Sequence, residues 1–300
     1  MRAPLPHARW RRTLLGVSLA AALGTGAGLA LWLHSTTLTE AAEPAPAGPP
    51  PAAARGPDNA APGLPLPAGP PRLASGPEYE SCLALLRTNP EAALAAAESW
   101  ERRGGGEGAR HCTALAQLAL GEADRAAERL ERLASESHAG NAARAAIYAQ
   151  AVQAWTLAGQ PGRAYAAATL SLTLSPTDPA LLVDRALAAA SLGRYGEALL
   201  DLDAALAAGP PRPDTLVFRA AALRHLDRQA DALQAVQQAL ALDPRQPDAL
   251  LERGILKQLK GDTAGARADW QRTVTAAPDS PAADLARRNL ALNEAAPRRR

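Results

Sequence analysis

Aromatic residues are scarce: 5 Trp, 4 Tyr and 1 Phe in 300 residues, which excludes a conventional core built on large rings. Lysine is nearly missing, since Lys257 and Lys260 are the exceptions in a basic complement that is otherwise arginine. With abundant alanine this bias reads as a codon habit rather than a binding adaptation. No sign of charge dominates, because 32 basic and 30 acidic side chains leave a net charge of +2. That field is too weak to select nucleic acid or another polyanion. G-x-S-x-G, a Walker loop and a dinucleotide fingerprint are all lacking, and Gly104-Gly105-Gly106 follows a helical pattern without the strand that a phosphate-binding turn requires. The five histidines, His7, His34, His111, His138 and His225, include no pair at ligand spacing on one helix, so neither zinc nor haem is indicated. His111 beside Cys112 reads as an accident of neighbours. The expectation is a non-enzymatic chain with no catalytic residues, cofactor or metal, and no small-molecule substrate is indicated.

What is present divides the chain into three parts. Residues 2–12 carry Arg2, Arg9, Arg11 and Arg12 without an acid, and residues 13–33 contain no charge. At 1.5 Å per helical residue such a run reaches about 31 Å, the thickness of a hydrocarbon core. The basic flank before it predicts a cytoplasmic amino terminus, with everything after residue 34 on the far side. A retained single-pass anchor is the leading reading. Cleavage near Ala41 and Ala42 by a signal peptidase is the alternative, leaving a soluble periplasmic protein, and Arg11-Arg12 bears a weak likeness to a twin-arginine signal. From Ser35 to Glu78 the chain has 12 Pro in 44 residues and too little hydrophobic periodicity to fold. It reads as a disordered tether, extended at about 3.1 Å per residue where it adopts polyproline II. The competing role is a Pro cluster, such as Pro49-Pro50-Pro51, docking in a partner's aromatic groove.

Beyond Tyr79 the chain is rich in Ala and Leu at helical spacing, with an internal period of 34 residues. Pro recurs at Pro176, Pro210, Pro244 and Pro278, and again at Pro179, Pro213, Pro247 and Pro281. A turn residue recurs at Gly159, Gly193, Asp227 and Gly261, and a small residue at Ala164, Ala198, Ala232 and Ala266. Within one unit, Pro179 suits a helix start and Gly193 a left-handed helix end. A second helix from Tyr195 to about Ala208 follows. Ala186, Ala198 and Ala205 let the two backbones approach, while Leu182, Leu192, Leu199, Leu202 and Leu206 fill the seams to neighbouring units. Each pair buries its apolar stripe only by stacking on the next, so the expected fold is all-α, a right-handed superhelical solenoid of antiparallel helix pairs.

These residues resemble the tetratricopeptide repeat. Its pattern is visible as Tyr148, Val152, Trp155, Gly159, Ala164, Ala168, Ser171, Pro176, and again as Leu182, Ala186, Ala189, Gly193, Tyr195, Ala198, Leu202, Ala205, Pro210. Two further copies run from Leu216 to Pro244 and from Leu250 to Pro278. Lys257, where a large apolar residue is usual, and Asp227, in place of Gly, depart from the pattern and are expected to loosen single repeats. The organisation expected is a basic flank and hydrophobic helix over 1–34, linker 35–78, an irregular helix pair 79–106, a degenerate repeat 107–144, repeats 145–178, 179–212, 213–246 and 247–280, a capping helix 281–293 and a basic tail 294–300.

Two cysteines, Cys82 and Cys112, both follow the export segment. In an oxidising compartment the pair reads as a disulfide, with two separate buried thiols as the alternative. A redox-active pair is disfavoured by the missing C-x-x-C spacing. The resemblance implies a concave working surface lined by fixed positions of each first helix: Ala149, Gln153 and Thr156; Val183, Leu187 and Ala190; Val217, Ala221 and Arg224; Leu251, Ile255 and Gln258. This is an apolar trough without the Lys and Asn of a carboxylate clamp, so an amphipathic helix or extended apolar segment of another protein is the expected partner. The function expected is a protein-interaction scaffold on the periplasmic side of a bacterial inner membrane. The alternatives are a self-assembling scaffold or an accessory factor in envelope or cytochrome assembly.

Overall fold

The computed structural model describes residues 73–295, and within them thirteen helices and no strand. The expected membrane segment 13–33, most of the linker and the end of the basic tail lie outside the described residues. The helices are α1 Pro77–Thr88, α2 Pro90–Arg102, α3 Gly106–Ala119, α4 Ala123–Glu136, α5 Asn141–Leu157, α6 Pro161–Leu174, α7 Pro179–Ser191, α8 Tyr195–Ala208, α9 Pro213–His225, α10 Gln229–Leu242, α11 Pro247–Leu259, α12 Thr263–Ala276 and α13 Pro281–Ala295. Each packs chiefly on its sequence neighbours, and odd-numbered helices touch along the stack. The result is a solenoid of antiparallel pairs.

The punctuation follows from backbone chemistry. Pro179, Pro213 and Pro247 occupy the start of α7, α9 and α11, where a missing N–H costs nothing and the fixed φ is already helical. Asp178 reinforces one start by accepting from the amides of Ala180 (2.8 Å) and Leu181. At the far end of the first helices α5, α7, α9 and α11 the turn residue takes a left-handed φ: 68° at Gly159, 75° at Gly193, 59° at Asp227 and 85° at Gly261. That turn lets the next amide reach back five residues, as from Arg194 to Ala189 (2.9 Å) and from Arg228 to Leu223 (2.9 Å). The carbonyls left over at the helix end are thereby satisfied.

Alanine sets the spacing of the stack. Ala186, Ala189, Ala198, Ala220, Ala232, Ala235 and Ala239 are all buried in the central cluster, between Leu202, Leu216, Leu223, Val236 and Leu250. Close approach reaches its limit at Gly254, where an added Cβ would collide with the Trp270 indole. That indole donates to the Leu251 carbonyl at 3.3 Å.

Three expectations change. The first helix begins at Pro77, inside the stretch expected to be linker, because Pro77 opens a helix with Glu78 and Glu80 in its first turn, where carboxylates favour the positive end of the dipole. α5 begins at Asn141, before the repeat boundary expected at residue 145, and runs for 17 residues. Lys257 does not loosen its repeat, since its Nζ lies 2.7 Å from Asp269.

Candidate binding surface

The structure distributes the twelve expected groove residues unevenly. Ala149, Gln153, Val183, Leu187, Ala190, Ala221 and Ile255 are half-buried, and Thr156 and Gln258 are exposed. They sit on the first helices of successive pairs, α5, α7, α9 and α11, on the face expected to form one semi-apolar wall. Val217 and Leu251 contribute little to it: at 6% and 7% exposure they belong to core clusters, Val217 with Ala220 and Leu250, Leu251 with Trp270 and Ala286. Helical spacing identifies the face, but the neighbouring helices decide how far a residue on it is covered.

Arg224 is also not a free marker. Its guanidinium holds the Glu252 carboxylate of the next pair, Nε to Oε1 at 2.6 Å, with side-chain exposures of 11% and 8%. Thr156 returns its hydroxyl to the Val152 carbonyl (2.8 Å), and Gln258 accepts from Asn293 of α13 (3.0 Å). The capping helix therefore closes the carboxyl-terminal end of the wall.

A set of ion pairs behind the wall escaped the sequence reading. Arg185 grips Asp201 with two hydrogen bonds of 2.7 Å, and Arg253 grips Asp269 with bonds of 2.8 and 2.5 Å. Arg219, between them in register, pairs with Asp203 at 2.6 Å. Arg185, Arg219 and Arg253 recur every 34 residues, so the signal was present in the same period as the prolines. Asp269 is 2% exposed. Burial alone would push its carboxyl up, but the Arg253 and Lys257 hydrogen bonds and charges together outweigh it and hold the group below the usual carboxylate range.

At the amino-terminal end the chemistry differs. Cys82 of α1 and Cys112 of α3 form a disulfide with their Cα atoms 6.3 Å apart. Beside it, His111 is 2% exposed and bonds on both ring nitrogens. Nε2 donates to Gln150 Oε1 of α5 (2.6 Å) and Nδ1 accepts from the Tyr79 hydroxyl of α1 (2.6 Å). Burial pushes the imidazole below its ordinary value against the opposing pull of Gln150, so it is the neutral ring that joins α1, α3 and α5. His111 is thus a structural link rather than an accident of sequence.

A cleft of about 110 Å³ opens at the boundary between two pairs, lined by Pro179, Val183, Leu206, Pro210 and Phe218, with Arg212 and Asp214 among its polar residues. Of the twelve expected groove residues it includes Val183 alone. Phe218 was missed because the position it occupies in its repeat is not one the family resemblance assigns to the groove. Among the described residues no group of three or more His, Cys, Asp or Glu is placed to hold a metal ion, and no helix is long and apolar enough to cross a membrane.

No known family profile matches the sequence, and no curated protein matches it. Solved structures do match in shape. A tetratricopeptide repeat protein from Parabacteroides merdae superposes with a TM-score of 0.57 at 16% identity, covering 73% of this chain and 91% of the other. The carboxyl-terminal part of a TPR repeat-containing protein from Cytophaga hutchinsonii gives 0.54 at 13% identity, covering 73% and 96%. One chain of an APC/C hetero-tetramer gives 0.53 at 18% identity over 71% of this chain, which spans only 42% of that longer one. The helix pairs, their left-handed turns and these superpositions together establish that residues 73–295 have the fold of a tetratricopeptide-repeat solenoid.

Proposed function

We propose that this protein is a non-enzymatic scaffold that captures an apolar helical or extended segment of another protein along the wall formed by α5, α7, α9 and α11. The observation that carries the reading is the run Ala149, Gln153, Val183, Leu187, Ala190, Ala221 and Ile255. These are mostly small or apolar side chains left half-covered on one face of successive pairs, an arrangement suited to helix-in-groove recognition. A structural neighbour with this architecture is part of a hetero-tetramer, which supports protein binding as the class of activity.

The array is proposed to be held on the far side of a bacterial inner membrane by residues 13–33 and spaced from it by the Pro-rich stretch. Two features support this placement: the arginine-rich flank that precedes the uncharged run, and the Cys82–Cys112 disulfide, which suits an oxidising compartment.

The test is crosslinking in intact cells followed by affinity capture, comparing the native chain with Leu187→Glu. Leu187 is preferable to Leu251, whose burial would confound binding with folding. Envelope proteins captured by the native chain and lost in the variant, with helicity unchanged, are the expected result. Equal capture by both chains removes the wall as the site, and recovery of cytoplasmic proteins alone removes the placement.

A further inference from the structure

In the regular part of the array four connections lead from a second helix into the next first helix. In register they read Ser175-Pro176-Thr177-Asp178, Gly209-Pro210-Pro211-Arg212, Asp243-Pro244-Arg245-Gln246 and Ala277-Pro278-Asp279-Ser280. Three of them are pinned in the same way. The last amide donates back to the first carbonyl, at 3.4 Å from Asp178, 3.2 Å from Gln246 and 3.1 Å from Ser280, and the side chain of that same residue caps the helix that follows. The connection into α9 has neither device: no hydrogen-bonded turn closes over residues 209–212, and Arg212 gives α9 no side-chain cap. Its guanidinium lies instead 3.8 Å from the Asp214 carboxylate. The cause is Pro211, which occupies the third place of the turn and so forces Pro210 out of the right-handed region that a type I turn requires there. The chain accordingly leaves α8 through Gly209 in an extended conformation, φ −153° and ψ 179°.

The packing at this boundary differs in the same sense. α8 and α9 are joined through Leu202, Leu216 and Ala220 of the central core cluster, and Arg219 of α9 reaches back to Asp203 of α8 at 2.6 Å. Between the first helices α7 and α9, however, lies the cleft of about 110 Å³ lined by Pro179, Val183 and Phe218. At the next boundary the first helices are tied by the Arg224–Glu252 pair, and by the buried Gln246, which donates to Asp214 of α9 at 3.1 Å while it caps α11.

We propose that the boundary between α8 and α9 is a hinge: the contact of α8 with α9 is the pivot, the connection from Gly209 to Arg212 lets it turn, and the cleft is the space into which α7 and α9 swing together. Hinges are a few loop or element-terminal residues that absorb a change in φ and ψ. Here Gly209 and the uncapped first turn of α9 are those residues. In a one-dimensional array a small rotation at one boundary redirects every pair beyond it, so residues 73–208 and 213–295 behave as two arms. The proposed wall passes from Leu187 and Ala190 of α7 to Ala221 of α9 at this point, and the hinge sets how closely it curves round an occupant. That consequence rests on the wall being the binding site; the hinge itself does not.

The repeat supplies its own controls. Cys82 and Cys112 are the only cysteines and are joined to each other, so introduced cysteines are the only thiols to label. Ala166, Leu200, Gln234 and Ala268 are exposed and fall at 34-residue intervals on α6, α8, α10 and α12, which gives three matched pairs, each across one boundary. In full-length chain spin-labelled at 166 and 200, at 200 and 234, or at 234 and 268, pulsed EPR is expected to give a broader distance distribution for the middle pair than for the other two. The double variant Pro211→Thr, Arg212→Asp copies the capped connection that precedes α7. With it the middle distribution should contract to the width of its neighbours. An N-cap shifts its equilibrium by roughly fivefold, so amide exchange at Leu216 and Val217 in the first turn of α9 should slow by about that factor. Equal widths for the three native pairs overturn the hinge. A middle distribution that stays broad in the double variant overturns it as well, because the connection is then not what frees the boundary. Neither reading involves a partner, so failure here leaves the wall to be judged by Leu187→Glu alone.

Discussion

The two ends of the stack solve the same packing problem by different means. From α5 to α12 the units repeat: Pro starts a first helix in three of the four pairs, a left-handed residue ends the first helix in each, Ala lines the contacts, and arginines at 34-residue intervals bridge to carboxylates. From α1 to α4 the 34-residue spacing lapses, although Gly121 still ends α3 with a left-handed φ of 82°. There the structure uses a covalent bond, Cys82 to Cys112, and a buried polar link from Tyr79 through His111 to Gln150. In a one-dimensional array each unit is stabilised by its neighbours on both sides. A terminal pair has only one, and the irregular end replaces the missing interface with chemistry that holds without one.

Removing the covalent bond should have the largest effect. Closing a loop of about 30 residues is worth roughly 3 to 4 kcal/mol in the loop-entropy model. The Cys82→Ala, Cys112→Ala variant is therefore expected to lose amide protection throughout α1 and α2 while α7 to α10 keep theirs. Uniform loss in hydrogen exchange would mean that the two regions are one cooperative unit and that the contrast is false.

Within the regular part, Asp269→Asn leaves Arg253 and Lys257 without their counter-charge. Removing one partner of a buried pair costs about 3–5 kcal/mol. Both cations are partly solvated here, with side chains 21% and 29% exposed, so the expected loss is about 2 kcal/mol after screening. It should appear as a lower denaturant midpoint with an unchanged slope. No change would demote the ion pair to decoration.

Acidity should act on the irregular end through His111. The folded pKa of His111 is lowered chiefly by burial, so the unfolded chain takes up a proton before the folded one does. The stabilisation is present above the unfolded value of about 6.5 and is lost as pH falls below it. Protection in α1 and α3 is expected to decline between neutral and mildly acidic pH in the native chain, and His111→Gln should abolish that pH dependence. A His111→Gln profile that still follows the native one would assign it to other groups.

The smallest effect sharpens the regular side of the contrast. Asp227 holds a φ of 59°, which glycine adopts without strain. Asp227→Gly is expected to raise stability by about 0.5 kcal/mol, because relief of backbone strain exceeds the added freedom of the unfolded chain only modestly. A fall in melting temperature would show that the Asp side chain stabilises the turn by more than its backbone strain costs.

Much of the regular array is legible from residue spacing. The two proline series lie where a helix begins and where the preceding one has ended, and the turn series marks every left-handed residue from Gly159 to Gly261. What spacing does not convey is lateral. Val217 and Leu251 occupy the same position in their repeats as Val183, yet they are buried and Val183 is not, because coverage depends on how the adjacent helices and α13 lean over each one. Lys257 looked like a defect because its counter-charge, Asp269, is twelve residues away on the next helix. His111 looked incidental because its partners, Tyr79 and Gln150, lie 32 and 39 residues away on different helices.

The position of the disulfide gives the molecule a mechanical polarity. A force applied between the two ends meets a crosslink spanning α1 to α3 at one side and only the non-covalent seat of α13 on α12 and α11 at the other. Unravelling should therefore start at Pro281 and travel pair by pair toward the staple. Refolding has a fixed anchorage from which to zip, so the protein behaves as a spring clamped at one end, with the clamp nearest the segment proposed to attach it to the membrane.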